Sequence, residues 1–199
     1  EVWKQRTNFY FENNLANLFN RYGKIMQKAK IHYVSSHNSK DMKKLLLNEK
    51  FDYLINVGTQ LKIQKKIIES ARFGIINIHP GILPYYRGCT CVEWAIYNDE
   101  RIGNTIHLMN SEYDTGNILS IEKYNFKKSD TYVDIRLKVY LKGIKLVGKI
   151  LKKIKLGALK EIDYTLQHKS DGKFWRPIDK YKLNKVFNKI KNKKYKYQL

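Results

Sequence analysis

Cysteine is almost absent from this chain: in 199 residues only Cys89 and Cys91 occur. Two thiols so close together cannot build a disulfide framework, which suits a reducing compartment, and a cytoplasmic location is expected. They lie near His79, but a closed metal site usually needs about four ligands and no second cysteine pair exists, so no metal is expected. Proline is also scarce, at three residues, and no proline- or glycine-rich linker and no internal repeat divide the chain. Residues 1–199 therefore read as a single domain, with a core over 1–155 and a C-terminal extension over 156–199. No apolar run approaches the roughly 18 residues that cross a bilayer, so no membrane partner is expected, and no secretory signal is recognisable. The chain opens at Glu1, and its natural start is expected to lie outside it.

Acidic residues are the other shortage, 18 against 39 basic ones, giving a net charge of +21. Such a balance invites a nucleic-acid reading. Lysine, however, far outnumbers arginine and accompanies asparagine, isoleucine and tyrosine, all encoded by AT-rich codons, so genome bias can supply much of the charge. The densest run, 180–196, interleaves lysines with Tyr181, Phe187 and Tyr195. It is read as a solvated helix face or a frayed terminus in preference to a phosphate-binding surface.

What is present is a regular alternation of strand-like and helix-like segments. Residues 30–34 read as a strand and 39–50 as a helix capped by Ser39. Strands follow over 51–57 and 73–78, separated by a helix over 64–71. A helix over 91–98 precedes strands over 101–110 and 117–126, which flank a turn at Asp114. From 129 to 155 apolar residues such as Val133, Leu137, Leu141, Ile144 and Val147 recur at helical spacing, an amphipathic helix packed on a sheet. The pattern predicts an α/β protein, a Rossmann-like three-layer α/β/α sandwich.

Chemistry concentrates in three short pieces: Asn77-Ile78-His79-Pro80, the loop from Leu83 to Gly88, and Asp114-Thr115-Gly116. Asn77 and His79 close a strand, and side chains two apart on a strand point the same way, so an amide and an imidazole can face one reacting atom. The carboxyl end of such a strand is where open α/β sheets bind ligands. A lone Asn-x-His is more often a turn cap beside an ordinary polar residue, and Asp114 by itself can be a turn aspartate. Arg87, on the loop after the strand, is a candidate for contacting a substrate phosphate or carboxylate, with a structural salt bridge as the equal alternative. His107 reads as a structural histidine within a strand, and His32, His37 and His168 have no constellation around them.

Over residues 52–119 the chain resembles the formyltransferases that use 10-formyltetrahydrofolate. Their signature of Asn-x-His-Pro, Leu-Pro-x-x-Arg-Gly, Trp-Ala-Ile and Asp-Thr-Gly occurs here as Asn77 to Pro80, Leu83 to Gly88, Trp94 to Ile96 and Asp114 to Gly116. The resemblance implies the formyltransferase fold, whose first strand is expected to be missing, since residues 1–24 look like the helix that follows it. It implies 10-formyltetrahydrofolate as co-substrate. Asn77 would donate to the developing oxyanion, His79 would donate to the same oxygen or move the proton of the attacking nitrogen, and Asp114 would orient His79 and relay protons. Gly58, Thr59, Gln60 and Leu61, in the loop after the 51–57 strand, and Tyr113 would hold the folate.

Three acceptors for the formyl group are implied, in this order. The first is an amino group on a nucleotide-linked sugar; the compact length, Cys89 after Arg87-Gly88 and the Glu93-Trp94-Ala95-Ile96 segment resemble that branch. The second is methionyl-tRNA, a possible RNA partner, whose formyltransferase shares the core motif but normally adds a C-terminal barrel. The third is glycinamide ribonucleotide, whose enzymes usually carry Pro-Gly in place of Arg87-Gly88. An inactive folate-binding fragment is the alternative from a different class.

Overall fold

The computed structural model describes residues 30, 32–59, 61–156 and 164–199. Its centre is a four-stranded sheet in the order β1-β2-β4-β5, formed by β1 (Leu54–Asn56), β2 (Ile75–His79), β4 (Ile102–Leu108) and β5 (Ile118–Tyr124). The β1–β2 pair is parallel, and β2–β4 and β4–β5 are antiparallel. A second, two-residue ladder joins β3 (Arg87–Gly88) in parallel to β6 (Phe174–Trp175). Alternation along β2 sorts its side chains between two layers. Ile75 packs with Leu46 of α1 (Lys40–Glu49) and with Ile67 and Ile68 of α2 (Lys65–Ile68). Ile76 packs, with Ile106 of β4, against Leu146, Val147 and Ile150 of α4 (Tyr132–Lys155). With helices on both faces, the sheet has the expected Rossmann-like α/β architecture.

Most boundaries lie within a few residues of expectation, for local reasons. Ser39 caps α1 by accepting the Met42 N–H at 3.1 Å. The long helix begins at Tyr132, three residues later than its pattern suggested, because Thr131 and Asp134 form a capping box: Asp134 N–H donates to Thr131 Oγ1, and Thr131 N–H donates to the Asp134 carboxylate. The helix expected over 64–71 stops at Ile68; farther on, the Arg72 and Phe73 N–H groups are captured by the Phe51 and Asp52 carbonyls instead. The described residues of 30–34 carry no strand, and Tyr33 there is 93% exposed, so at those residues the expected strand is corrected to irregular chain. The helix expected over 1–24, and the missing first strand, lie outside the described residues.

The C-terminal lysine run keeps the helix of its expectation and corrects only the frayed terminus. It forms α5 (Lys180–Lys191), which follows an Asp179 cap and is neither frayed nor solvated all round. Leu183, Val186 and Ile190 enter the core with Val92, Ala95 and Ile96 of α3 (Cys91–Tyr97), and Tyr195 follows them with its hydroxyl on the Glu100 carbonyl at 2.7 Å. Each fully buried aliphatic side chain contributes roughly 1.5–3 kcal/mol, enough to fix the helix whatever its outward charge. Lys180, Lys185 and Lys191 are exposed, while Lys189 is half-buried against the Tyr97 carbonyl and Asp99. Within the C-terminal extension, Ile178, Leu183, Val186, Ile190 and Tyr195 are thus buried in the same cluster as α3 and α4.

Candidate active site

The register of the sheet assembles the site. Residues directly opposite on paired strands share a face. Asn77 lies opposite Asn56 on β1 and His107 on β4, and His79 lies opposite Thr105. Asn77, His79 and His107 thus point away from α4, into a cavity of about 390 Å³. Gly58, Thr59, Leu61, Tyr113 and Asp114 line the same cavity. Gln60 lies outside the described residues.

A chain of hydrogen bonds fixes the Asn77 amide. The Thr59 N–H donates to Asn56 Oδ1 at 3.1 Å, so Asn56 turns its Nδ2 toward Asn77 and donates to Asn77 Oδ1 at 2.8 Å. Asn77 Nδ2 then lies 2.9 Å from His107 Nε2. The other nitrogen of His107, Nδ1, donates to the Leu108 carbonyl at 2.9 Å, so Nε2 is left as the acceptor. One N–H of Asn77 is held by His107 and the second is presented to the cavity. Sequence reasoning did not single out Asn56 and read His107 only as a structural histidine, yet both bond the Asn77 amide. Their signal was a polar residue at a position of an apolar strand that faces the Asn-x-His pair, which requires the strand order to be known.

His79 is 4% exposed, and its Nε2–H donates to the Tyr86 carbonyl at 2.6 Å. Gly81 makes that contact possible, because a Cβ there would stand 2.7 Å from both His79 Nε2 and the Tyr86 oxygen. The remaining nitrogen, Nδ1, faces Asp114 Oδ1 at 3.5 Å, longer than a direct bond. Asp114 sits on a left-handed turn, φ 54°, and its Oδ2 accepts the Gly88 N–H at 2.8 Å. Gly116 closes the turn where a Cβ would collide with the Leu108 carbonyl, at 1.7 Å. Burial dominates at His79 and pushes its pKa below the usual value, against the pull of Asp114. At Asp114 burial acts upward, but His79, His107 and the Gly88 N–H outweigh it and hold the carboxyl well below the usual carboxylate range. Burial thus favours the neutral form of His79, and the groups around Asp114 favour its carboxylate.

Arg87 is placed differently from its expectation. It is 3% exposed, and its guanidinium donates to Gln167 Oε1 at 3.1 and 3.3 Å and to the His168 carbonyl at 2.9 Å. It ties the loop after β2 to the segment after α4, and it does not line the cavity. Cys89 does line it, while Cys91 is buried with its thiol on the Tyr86 carbonyl, and both are free thiols. Among the described residues no group of three or more His, Cys, Asp or Glu side chains has the geometry to hold a metal ion, and no helix is long and apolar enough to cross a membrane.

Comparison with known proteins points one way. The family model described as formyl transferase matches residues 12–149. The methionyl-tRNA formyltransferase of Hydrogenobaculum sp. (strain Y04AAS1) is 33% identical over 147 residues, which make up 73% of this chain and 48% of that protein. The chain spans about half the length of the curated relatives it matches. Among solved structures, the 4-N formyltransferase from Francisella tularensis superposes with a TM-score of 0.59 at 25% identity, covering 80% of this chain and 62% of that one. The formyltransferase PseJ from Anoxybacillus kamchatkensis, solved in complex with UDP-4,6-dideoxy-4-formamido-L-AltNAc and tetrahydrofolate, superposes with a TM-score of 0.58 at 22% identity, covering 81% and 85%.

Proposed function

The chain belongs to the formyl transferase family, and from that premise we propose that it transfers a formyl group from 10-formyltetrahydrofolate to a primary amine, most directly one on a nucleotide-linked amino sugar. The observation that carries this reading is the uncommitted N–H of Asn77, held by Asn56 and His107 and facing one cavity with His79 and Asp114. The acceptor nitrogen attacks the formyl carbon, and negative charge grows on the carbonyl oxygen. The free Asn77 N–H meets that oxygen with no reorganisation. The attacking nitrogen gives up a proton as the new C–N bond forms, and neutral His79 takes it on Nδ1, where Asp114 stabilises the imidazolium. The same proton then goes to the folate nitrogen as its bond to the formyl carbon breaks, so the enzyme ends as it began. The folate side of the cavity is the wall made by Gly58, Thr59, Leu61 and Tyr113, with Gln60 in the same loop. Arg87 acts from outside by holding the Gly88 N–H where Asp114 can accept it.

A second acceptor, methionyl-tRNA, is supported by the name of the 33% identical relative and by the net charge of +21. The test supplies the chain with 10-formyltetrahydrofolate and either an amino-sugar nucleotide or methionyl-tRNA, and follows release of tetrahydrofolate. Release that requires the amino sugar supports the first reading, and release that requires the tRNA supports the second. Folate binding with neither release would leave a folate-binding protein and overturn both.

A further inference from the structure

The segment after α4 returns across the catalytic cavity and is tied down on both sides of it. Thr165 exchanges two backbone hydrogen bonds with Ile118, each 2.9 Å, and farther on β6 pairs with β3. Between these anchors stands Gln167, half-buried, with its one amide divided between two loops. Its Oε1 accepts from the Arg87 guanidinium at 3.1 and 3.3 Å, and its Nε2 donates to the Gly116 carbonyl at 2.5 Å. Arg87 opens β3, and Gly116 closes the Asp114 turn. The same two loops meet on the cavity side, where the Gly88 N–H donates to Asp114 Oδ2.

The two loops need this bracket unequally. β3 is fixed by its ladder: the Arg87 N–H donates to the Lys173 carbonyl at 3.2 Å and the Cys89 N–H to the Trp175 carbonyl at 2.9 Å. The Gly88 N–H between them is therefore turned the other way, toward Asp114, as alternation along a strand requires. The Asp114 turn is held more lightly. Asn110 Oδ1 accepts from the Glu112 N–H and from Thr115 Oγ1, bonds that shape the turn from within, and the Leu108 N–H closes its base on the Asn117 carbonyl. Those bonds leave the height of the turn above β3 open. The Gln167 bond to Gly116 sets it.

We propose that Gln167 is a positioning residue: it holds the Asp114 turn against the Arg87-Gly88 ladder, so that one carboxylate both accepts the Gly88 N–H and faces His79. Its consequence for turnover rests on the formyl-transfer reading, whereas its effect on the turn does not. A neutral amide suits the place. Its oxygen meets a cation and its nitrogen a carbonyl, and it adds no charge to a site already holding Asp114, His79, His107 at 3.6 Å from the same carboxylate, and the Cys89 and Cys91 thiols, with Lys62 and Glu112 at the cavity wall.

Gln167→Met keeps the length of the side chain and removes both bonds, while Gln167→Glu keeps an acceptor for Arg87 and removes the donor to Gly116. Hydrogen exchange of the Gly88 amide is read in the full chain without substrates. Both variants are expected to exchange it at least about tenfold faster than the native chain, with the amides of β2 and β4 unchanged. Native protection of Gly88 in either variant would overturn the proposal, whatever the protein is found to catalyse. In the formyl-transfer assay Gln167→Met is expected to lower kcat about tenfold with KM nearly constant. Asp114 raises the pKa of His79, so a displaced turn lowers it, and the acid limb of kcat/KM is expected to move to lower pH. In an Asp114→Asn background the same change is expected to alter kcat by less than about twofold. An acid limb that stays in place, or an equal loss in both backgrounds, would show that Gln167 does not act through Asp114.

Discussion

The amide half and the acid half of the catalytic cavity are held in different ways. Asn77 is gripped from both sides by Asn56 at 2.8 Å and His107 at 2.9 Å, in a row of bonds that admits one orientation of each group. His79 and Asp114 face each other across 3.5 Å, fixed on their far sides by the Tyr86 carbonyl and the Gly88 N–H. A clamp sets direction, which a hydrogen-bond donor to a developing oxyanion requires. A gap leaves one protonation change open, which a proton carrier requires. The difference shows that preorganisation here is local to the group that must not move.

Breaking the centre of the clamp carries the largest effect. Asn77→Ala is expected to lower turnover by on the order of a hundredfold or more, measured as tetrahydrofolate release, with folate affinity little changed. On the acid side, Asp114→Asn is expected to lower kcat by up to about a hundredfold. It also moves the pH profile in a defined direction. His79 acts in its neutral form, and burial has already set its pKa below the ordinary value of about 6.5. Asp114 raises that pKa, so its removal lowers it further, and the acid limb of kcat/KM shifts to lower pH. An acid limb that rises or stays in place would separate Asp114 from His79. The clamp's outer members come next: Asn56→Ala and His107→Ala each remove one hydrogen bond to a group that stays in place, and are expected to lower kcat by about tenfold with KM nearly constant.

Much of this site was legible before the fold was known. Asn77 and His79 fall two apart at the end of an apolar run, and Pro80-Gly81 ends it, so their shared face follows from strand geometry alone. Asp114 followed from the turn and the resemblance. Asn56 and His107 were not legible, since Asn56 is 21 residues from Asn77 and His107 is 30, and only the strand order brings them together. Arg87 kept two readings open, because an arginine on a loop beside a ligand cleft looks alike in sequence whether it points inward or backs the loop, as it does here. The C-terminal lysines hid an apolar stripe at Leu183, Val186 and Ile190, because charge outnumbers it in composition although it decides the packing. That region supplies the smallest expected effect on chemistry. Leu183→Ala is expected to cost about 2–5 kcal/mol of stability, read by thermal or denaturant unfolding, while kcat at a temperature where the variant is folded stays within about twofold.

The claim beneath the comparison is that His107 serves the reaction mainly by holding Asn77, its approach to Asp114 at 3.6 Å being the lesser route. A double-variant cycle measures it: His107→Ala is introduced into the native chain and into Asn77→Ala, and kcat is compared in the two backgrounds. The expected result is about a tenfold loss in the native chain and less than about a twofold change once Asn77 is gone. An equal tenfold loss in both backgrounds would show His107 working independently of the amide, and the clamp would no longer explain how the site is aimed.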